Sequence, residues 1–121
     1  MSTLKVDTLV AADGSSPATL TKQSAPKLWA NFEQVGTHSI PNSFNISSIT
    51  DNALSDSTFA ITNSMNYDAW GCATSSQHGY ITGINNSTNL SASSFKLTSR
   101  SHNGSNVDTS RAGVICCGDL A

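Results

Sequence analysis

Short apolar segments separated by polar ones are the feature that most constrains the fold of this 121-residue chain. Inside the segments, apolar and polar side chains alternate, so that Phe59 and Ile61 share one face of an extended strand and Thr58 lies on the other. Phe95 and Leu97 share a face in the same way. Such a period of two, with one wet face, is typical of antiparallel strands. Seven segments of this kind follow residue 26, with the sequences LWANF, SFNISSI, STFAI, YDAWGCA, GYITGI, SFKLTS and AGVICC.

The segments and the composition together predict an all-β fold. The polar stretches between the segments have the length of turns and loops, which predicts seven or eight short strands in an antiparallel β-sandwich or a jelly-roll-like domain. The chain contains 21 Ser, 13 Thr and 11 Asn, which favour turns and strands, whereas strong helix formers are scarce. Since no window carries a convincing helical period over three turns, LWANF is also predicted to be a strand.

The segment SFNISSITDNALSDSTFAIT, residues 43–62, is predicted to form two strands. Phe44 and Ile46 are expected to face the core on the first strand, with Asn45 on the wet face between them. A polar turn at residues 53–56 is expected to join the two strands.

Two further polar segments are predicted to be connections. Residues 101–106 contain Asn-Gly, the strongest two-residue hairpin signal, between a strand ending near Ser101 and one beginning near Val107. Residues 85–94, NNSTNLSASS, form a long polar loop that is either a solvated connection or a recognition surface.

The first 26 residues differ from the rest of the chain. They hold one short β-forming patch, LKVDTLV, followed by two prolines and little that could fill a core. We therefore predict an extended arm over residues 1–26 and one domain over residues 27–121. That domain contains few strongly apolar side chains for an isolated monomer, so that association with copies of itself is expected.

Charge and hydropathy exclude several classes of partner. The net charge is −2 and the pI is near 5.8, which disfavours binding to nucleic acid or to anionic lipid. No stretch approaches the roughly 20 apolar residues of a spanning helix, and the start lacks the apolar core of a signal peptide. The sequence therefore predicts a chain made in a cytosol and not inserted into a membrane.

The three cysteines do not predict a disulfide scaffold. Their number is odd and Cys72, Cys116 and Cys117 show no CxxC spacing. Cys116 and Cys117 are neighbours, and adjacent side chains of a strand point to opposite faces, so that free thiols are expected.

Neither an active site nor a cofactor site is predicted. The chain has no G-x-S-x-G elbow for a serine nucleophile, and its eight acidic residues are scattered singly. A zinc site would need paired ligand spacing, which the available donors lack. Those donors are His38, His78, His102, Cys72 and Asp108. The five Asn-x-Ser/Thr sequons follow from the Ser and Thr content and are not predicted to carry glycans.

Three aromatic residues are the candidates for contact with a sugar, because aromatic faces stack on pyranose rings while nearby amides and carboxylates bind hydroxyls. They are Tyr67, Trp70 and Tyr80. Each lies within an apolar segment, so that packing in the core or at a subunit interface is the alternative interpretation.

Two stretches resemble a family of small virion structural proteins of tailed bacteriophages, especially marine and cyanobacterial phages. They are STLKVDTL and KLWANFEQVGTHSIPNSFNISSITDNALSDSTFAI. The family begins with KVDT(I/L) and continues with a pattern like KAWVNFNGTGT and then SFNVSSITDNGTGDYT. The matching positions are residues 5–8, Lys27, Trp29, Asn31, Phe32, Gly36, Thr37 and residues 43–52. The similarity covers about the first half of the chain, and the Gly-Thr-Gly turn of the family is replaced here by residues 53–56.

This resemblance implies a homotrimeric β-sandwich domain on a virion surface, without enzymatic activity and made in the cytoplasm of the bacterial host. The arm would then dock to other virion proteins by adding a strand to a sheet edge. Its apolar residues are Leu4, Val6, Leu9 and Val10. The expected function is a short trimeric tail or head fibre that contacts the host, with a host surface glycan as the candidate receptor. The alternatives are a capsid decoration protein and a carbohydrate-binding module.

Overall fold

A computed structural model of the chain describes residues 10, 12–14, 26–66, 71–84 and 90–118. Within these ranges the chain contains strands and no helix, which confirms the predicted all-β class. The eight strands are β1 Leu28–Glu33, β2 Ser39–Phe44, β3 Ile46–Ala53, β4 Asp56–Ile61, β5 Gly71–Ser76, β6 Ile81–Gly83, β7 Ser94–Arg100 and β8 Ala112–Cys117.

The strands form two antiparallel sheets of four strands each. The first sheet has the order β2-β1-β8-β5, and the second has the order β3-β4-β7-β6. All strand pairs are antiparallel, as the period of two predicts. The two sheets share one core, and consecutive strands β2 and β3 belong to different sheets.

Three phenylalanines join the two sheets. Phe32 of the first sheet meets Phe59 of the second edge-on, with ring centroids 5.0 Å apart, and Phe59 stacks on Phe95 at 4.8 Å. All three are at most 1% exposed, and burial of each ring stabilises the fold by about 1.5–3 kcal/mol. Phe59 shares a face with Ile61, and Phe95 shares a face with Leu97, as predicted; in both pairs this face is turned to the core. The rest of the buried apolar core consists of Leu28, Ala30, Met65, Ala112, Val114 and Cys116.

Asn45 is the single residue between β2 and β3, and it has a positive φ of 61°. Asparagine tolerates this left-handed conformation better than most residues. Its side-chain amide donates to the carbonyls of Lys27 (3.0 Å) and Asn63 (3.1 Å), and its Oδ1 accepts from the Asn63 N–H (2.7 Å). The prediction that Asn45 is a strand residue on the wet face is therefore wrong. It forms the corner at which the chain passes from the first sheet to the second.

This corner also overturns the prediction for Phe44. Phe44 ends β2 in the first sheet and is 55% exposed, whereas Ile46 begins β3 and packs against the core. The alternation does not continue through a residue with positive φ, so the two side chains cannot share a face. The predicted turn at residues 53–56 is confirmed, with Ser55 at a φ of 69° between β3 and β4.

The Asn-Gly segment forms the predicted turn and a short hairpin, in which the Ser101 N–H donates to the Ser105 carbonyl (2.9 Å) and the Val107 N–H donates to the Ser99 carbonyl (3.2 Å). The Gly104 N–H donates to the Ser101 carbonyl (2.9 Å), and Arg100 forms an isolated bridge with Asn106. The next strand begins at Ala112 and not near Val107. The intervening residues 107–111 instead pass from the second sheet to the first, where the Thr109 carbonyl accepts from the N–H of Gln34 (2.8 Å).

The polar segment 85–94 is described only at its end, because residues 85–89 lie outside the described ranges. Leu90 bridges Phe95, and the N–H of Ser91 donates to the carbonyl of Ser94 (2.8 Å). This end of the segment is therefore a tight turn into β7.

Candidate interaction surface

The outer face of the first sheet carries a row of apolar side chains, one from each strand. Trp29 of β1 lies directly opposite Phe44 of β2 and Ile115 of β8, and Ile115 lies opposite Ala73 of β5. Directly paired residues of antiparallel strands share a face, so the four side chains are contiguous. Trp29, Phe44 and Ile115 are 39%, 55% and 44% exposed. We call these four residues the apolar row.

A concave polar strip lies beside the apolar row on the same face. Asn31 pairs with Asn42 and Gly113, and Gly113 pairs with Ser75. Gly113 leaves the strip open, because a Cβ there would lie 3.0 Å from Ser75 Oγ and 3.6 Å from Asn31 Oδ1. The resulting cavity has a volume of about 640 Å³. We call Asn31, Asn42, Gly113 and Ser75 the polar trough.

One acidic and one basic residue border the trough. Glu33 is half-buried at the end of β1, and Arg111 is exposed just before β8. Both line the same cavity, and neither forms a salt bridge with another described residue. The face therefore presents both signs of charge at its rim.

The outer face of the second sheet is mainly polar, although Ile81 of the edge strand β6 is 65% exposed there, opposite Arg100. Thr58 lies between Thr50 and Lys96 in register, and the Lys96 ammonium lies 3.3 Å from the Asp56 carboxylate. Asn52 Nδ2 donates to Thr58 Oγ1 at 2.8 Å. These polar groups are satisfied within the sheet, so this face is suited to contact with water. The two outer faces of the protein thus differ in chemistry.

Between the sheets, a serine, a histidine and two aspartates form a polar network. Ser57 Oγ lies 2.9 Å from His38 Nδ1, and His38 Nε2 lies 3.4 Å from Asp51 Oδ1 and 3.9 Å from Asp108 Oδ1. The residue types are those of a hydrolase triad. However, Ser57 is fully buried and its hydroxyl already accepts a hydrogen bond from Gln34 Nε2 (2.8 Å).

This network connects loops. The Gln34 amide also donates to the Ser55 carbonyl (2.9 Å), and the Ser55 N–H donates to Asp108 Oδ1 (2.6 Å). The network thereby ties the end of β1 and the β3–β4 turn to the segment before β8. Because the Ser57 hydroxyl is buried and already hydrogen-bonded, we interpret this network as structural.

The cysteines behave as the sequence predicts in one respect and differ in another. All three are free, and Cys116 is buried while Cys117 is exposed, as expected for opposite faces of β8. The sequence did not indicate that Cys72 of β5 lies directly opposite Cys116. A hydrogen bond from the Cys116 thiol lowers the pKa of Cys72 to about 7, although burial acts against this shift. The same hydrogen bond, together with burial, raises the pKa of Cys116.

Most of the residues predicted for docking or sugar contact are not described by the structure. Those outside the described ranges are Leu4, Val6, Leu9, Tyr67 and Trp70. Val10 forms an isolated β-bridge and is 43% exposed. Tyr80 is half-buried between β5 and β6, where its carbonyl accepts a hydrogen bond from Ser76 Oγ and its ring lies 6.2 Å from that of His78.

An exposed apolar surface that contains Trp29, Ile115 and Phe44 was not predicted from the sequence. A signal for two of them was present, because Leu28 and Trp29 are adjacent and Ile115 lies in the unbroken apolar run AGVICC. Consecutive apolar residues place apolar side chains on both faces of a strand, which is typical of strands covered on both sides.

The zinc donors considered in the sequence are not assembled into a site. Within the described ranges, no group of three or more His, Cys, Asp or Glu side chains is arranged to hold a metal ion. His38 and Asp108 are neighbours, but their contact belongs to the network around Ser57.

The fold and the surface define a two-sheet antiparallel protein with an apolar row on one outer face and a mainly polar second outer face. Comparison with models of protein families, with curated proteins and with solved structures finds no match to the chain. In the portion that the structure describes, no helix has the length and apolarity needed to span a membrane.

Proposed function

We propose that this protein is a non-enzymatic structural protein of a bacteriophage virion surface, a short trimeric tail or head fibre that contacts the host. The observation that carries the proposal is the apolar row on the first sheet, opposite a mainly polar second sheet. An exposed apolar patch on one face of a small domain is typical of a surface that associates with another protein. The virion location rests on the resemblance of residues 5–8 and 27–52 to phage structural proteins.

The partner proposed for the apolar row is a second copy of the chain. Every copy carries Glu33 and Arg111 at the rim of the same face, so that copies can pair opposite charges while their rows come together. Three copies arranged around an axis, each with its first sheet inward, would bury three Trp29 side chains near that axis. The trimeric number itself is what the resemblance implies.

The area of the outer face of the first sheet sets the expected strength of self-association. Four strands of six residues cover roughly 19 by 20 Å, or about 380 Å² per copy, which is below the size of a standard stable interface and typical of a weak one. Apolar burial contributes about 25 cal/mol per Å², against an association cost of about 4–15 kcal/mol. We therefore expect self-association at micromolar concentrations.

Sedimentation of matched variants tests this proposal. Ile115→Lys places a charge in the apolar row, and Val35→Lys places one at a residue that is 61% exposed outside it. The wild type and Val35→Lys should sediment as oligomers at micromolar concentration, and Ile115→Lys should sediment as a 12.6 kDa species. A monomeric wild type, or equal loss of assembly in both variants, would contradict the proposal.

The position on the particle is tested separately by electron microscopy of intact virions with a labelled chain. Copies confined to the tail would support a tail fibre, and fibres projecting from the shell would support a head fibre. Absence of the chain from particles would refute the proposal that it is a virion protein.

Capsid decoration is a second candidate. The described residues 26–66, 71–84 and 90–118 form two sheets, and none of their strands extends into a shaft. A compact trimer lying flat on the shell, present in hundreds of copies, would be the corresponding result in the same micrographs.

Sugar binding is a third candidate, favoured by the polar trough beside Trp29. An exposed indole can stack on a pyranose, and the amides of Asn31 and Asn42 can bind its hydroxyls. Asn31→Ala should then abolish binding on an array of bacterial surface glycans while its circular dichroism spectrum shows the same fold as the wild type. Lack of binding by the wild type would remove this candidate.

A further inference from the structure

Cys72 and Cys116 face each other across neighbouring strands in a specific geometry. Cys72 lies on β5, which is last in the order of the first sheet, and its direct partner on β8 is Cys116. The Cys116 carbonyl accepts a hydrogen bond from the Lys27 N–H (2.8 Å), so its backbone polar groups point toward β1. Farther along β5 and β8, the Gln77 N–H donates to the Arg111 carbonyl (3.0 Å).

These two hydrogen bonds assign the type of pairing. Hydrogen-bonded and non-hydrogen-bonded pairs alternate along an antiparallel ladder. Counting back from Gln77 and Arg111, five positions away, Cys72 and Cys116 occupy a non-hydrogen-bonded pair. The direction of the Cys116 carbonyl leads independently to the same assignment.

A non-hydrogen-bonded pair has the right spacing for a disulfide. Its Cα atoms lie about 4.5 Å apart and its side chains approach closely, whereas disulfides span Cα distances of about 4.4–6.8 Å. The bond would therefore form without displacement of either strand. Cys117 is placed differently, because it is exposed on the opposite face of β8 and pairs with Gly71.

The two thiols have different roles in such a reaction. Cys72 is half-buried and therefore partly accessible, whereas Cys116 is fully buried. The Cys116 thiol donates a hydrogen bond to the Cys72 sulfur, which favours the Cys72 thiolate, the attacking form. Cys72 is thus suited to attack an external disulfide. Cys116 lies directly opposite and is placed to resolve the product, with burial slowing this second step because it raises the pKa of the Cys116 thiol.

We propose that Cys72 and Cys116 form a thiol–disulfide exchange site that reacts with low-molecular-weight disulfides and closes into a bond between β5 and β8. In the first step, the Cys72 thiolate attacks one sulfur of the external disulfide and expels one thiolate. In the second step, the Cys116 thiol loses its proton and attacks the Cys72 sulfur, which expels the other thiolate. The two cysteines are oxidised, and the external disulfide is reduced to two thiols.

Oxidation of the full chain by glutathione disulfide tests this site. In Cys117→Ser only Cys72 and Cys116 remain, so a monomeric product that has lost two hydrogen atoms must carry the proposed bond. In the double variant Cys116→Ser/Cys117→Ser, where Cys72 is the one remaining cysteine, the reaction should stop at a single glutathione adduct on Cys72. Intact mass spectrometry distinguishes the two products, and circular dichroism checks that each variant is folded.

A comparison with the unfolded chain makes the result independent of the folding of the double variant. The equilibrium between Cys117→Ser and glutathione gives an effective concentration for ring closure. This concentration should be at least about 100-fold higher in the native protein than in guanidinium, because the fold holds the two thiols together. Equal values in both conditions, a persistent glutathione adduct on native Cys117→Ser, or absence of reaction would overturn the proposal.

Discussion

Asn45 is the single residue between β2 of the first sheet and β3 of the second. It combines a left-handed backbone with three side-chain hydrogen bonds to Lys27 and Asn63, at the point where β2 ends and β3 begins. The strands on either side belong to different sheets. One residue therefore directs Phe44 to the exposed face of the first sheet and Ile46 to the core.

Two substitutions of Asn45 separate the contribution of its left-handed backbone from that of its side-chain hydrogen bonds. Asn45→Ala should lower the free energy of unfolding by about 2–4 kcal/mol, because it loses the hydrogen bonds and also strains the backbone. Asn45→Gly should cost about 1 kcal/mol less, since glycine adopts a positive φ without strain. Urea denaturation measures both values. The matched control Asn42→Ala, at an exposed strand position, should change stability by less than about 0.5 kcal/mol. Equal losses in Asn45→Ala and Asn45→Gly would contradict the role of the backbone.

The thiol of Cys72 provides a second prediction for a single residue. Its pKa is lowered to about 7 by the hydrogen bond from Cys116, with burial acting in the opposite direction. In Cys117→Ser, the rate of alkylation at Cys72 should therefore rise through pH 7 and level off at higher pH, as the thiolate becomes the main form. Cys116→Ala in the same background removes the donor and should move the midpoint upward. Identical midpoints in the two proteins would show that Cys116 does not act on Cys72.

At the scale of elements, strand β5 contacts both sheets. It is last in the order of the first sheet, where it pairs with β8, and two of its side chains also bond to the segment around β6. Thr74 Oγ1 donates to the Thr82 carbonyl, and Ser76 Oγ donates to the Tyr80 carbonyl. The Cys72–Cys116 pair lies at the other end of the same strand. Strand β5 therefore links the two sheets along one edge.

A bond between Cys72 and Cys116 should stabilise this edge. It would close a loop of about 45 residues, for which the chain-entropy model gives about 4 kcal/mol of stabilisation. The oxidised form of Cys117→Ser should therefore unfold at a higher urea concentration than its reduced form. The control is the reduced protein without further treatment. Alkylated protein is not suitable, because the groups added to the thiols would enter the core. Equal midpoints would indicate that closure strains the sheets by as much as it constrains the unfolded chain.

At the scale of the whole molecule, the outer faces of the two sheets differ in chemistry. The first sheet presents the apolar row and the polar trough, whereas the second presents Thr58, Lys96 and Asp56 in mutually satisfied contacts. A trimer that buries the first sheets would expose the second sheets to water. The loops at the ends of the sheets would then be available for contact with the host.

The arm and the domain should be separable in function. Because the apolar row lies entirely within residues 27–121, a chain lacking residues 1–26 should still self-associate in sedimentation experiments. It should be absent from purified particles, since the proposed docking strand has been removed. Incorporation of the shortened chain into virions would show that another part of the protein docks, and a monomeric shortened chain would place the self-association in the arm.

Local patterns were sufficient for much of the fold. The alternation at Phe59, Ile61, Phe95 and Leu97 correctly predicted which side chains share a face, because successive side chains of a strand point to opposite faces. The turn at residues 53–56 followed from turn chemistry in the same way. The alternation failed at Phe44, since nothing in SFNIS distinguishes a continuous strand from one broken by a left-handed asparagine.

The sequence by itself therefore determined the all-β class, the antiparallel strands and most of the core, because these depend on the stereochemistry of neighbouring residues. Only the tertiary structure decided which strands became neighbours. Strand pairing placed Phe44, Trp29 and Ile115 in one exposed row, and it brought Cys72 opposite Cys116 from far along the chain. The physical reason is that register joins residues distant in sequence through backbone hydrogen bonds, which carry no signature in the local pattern.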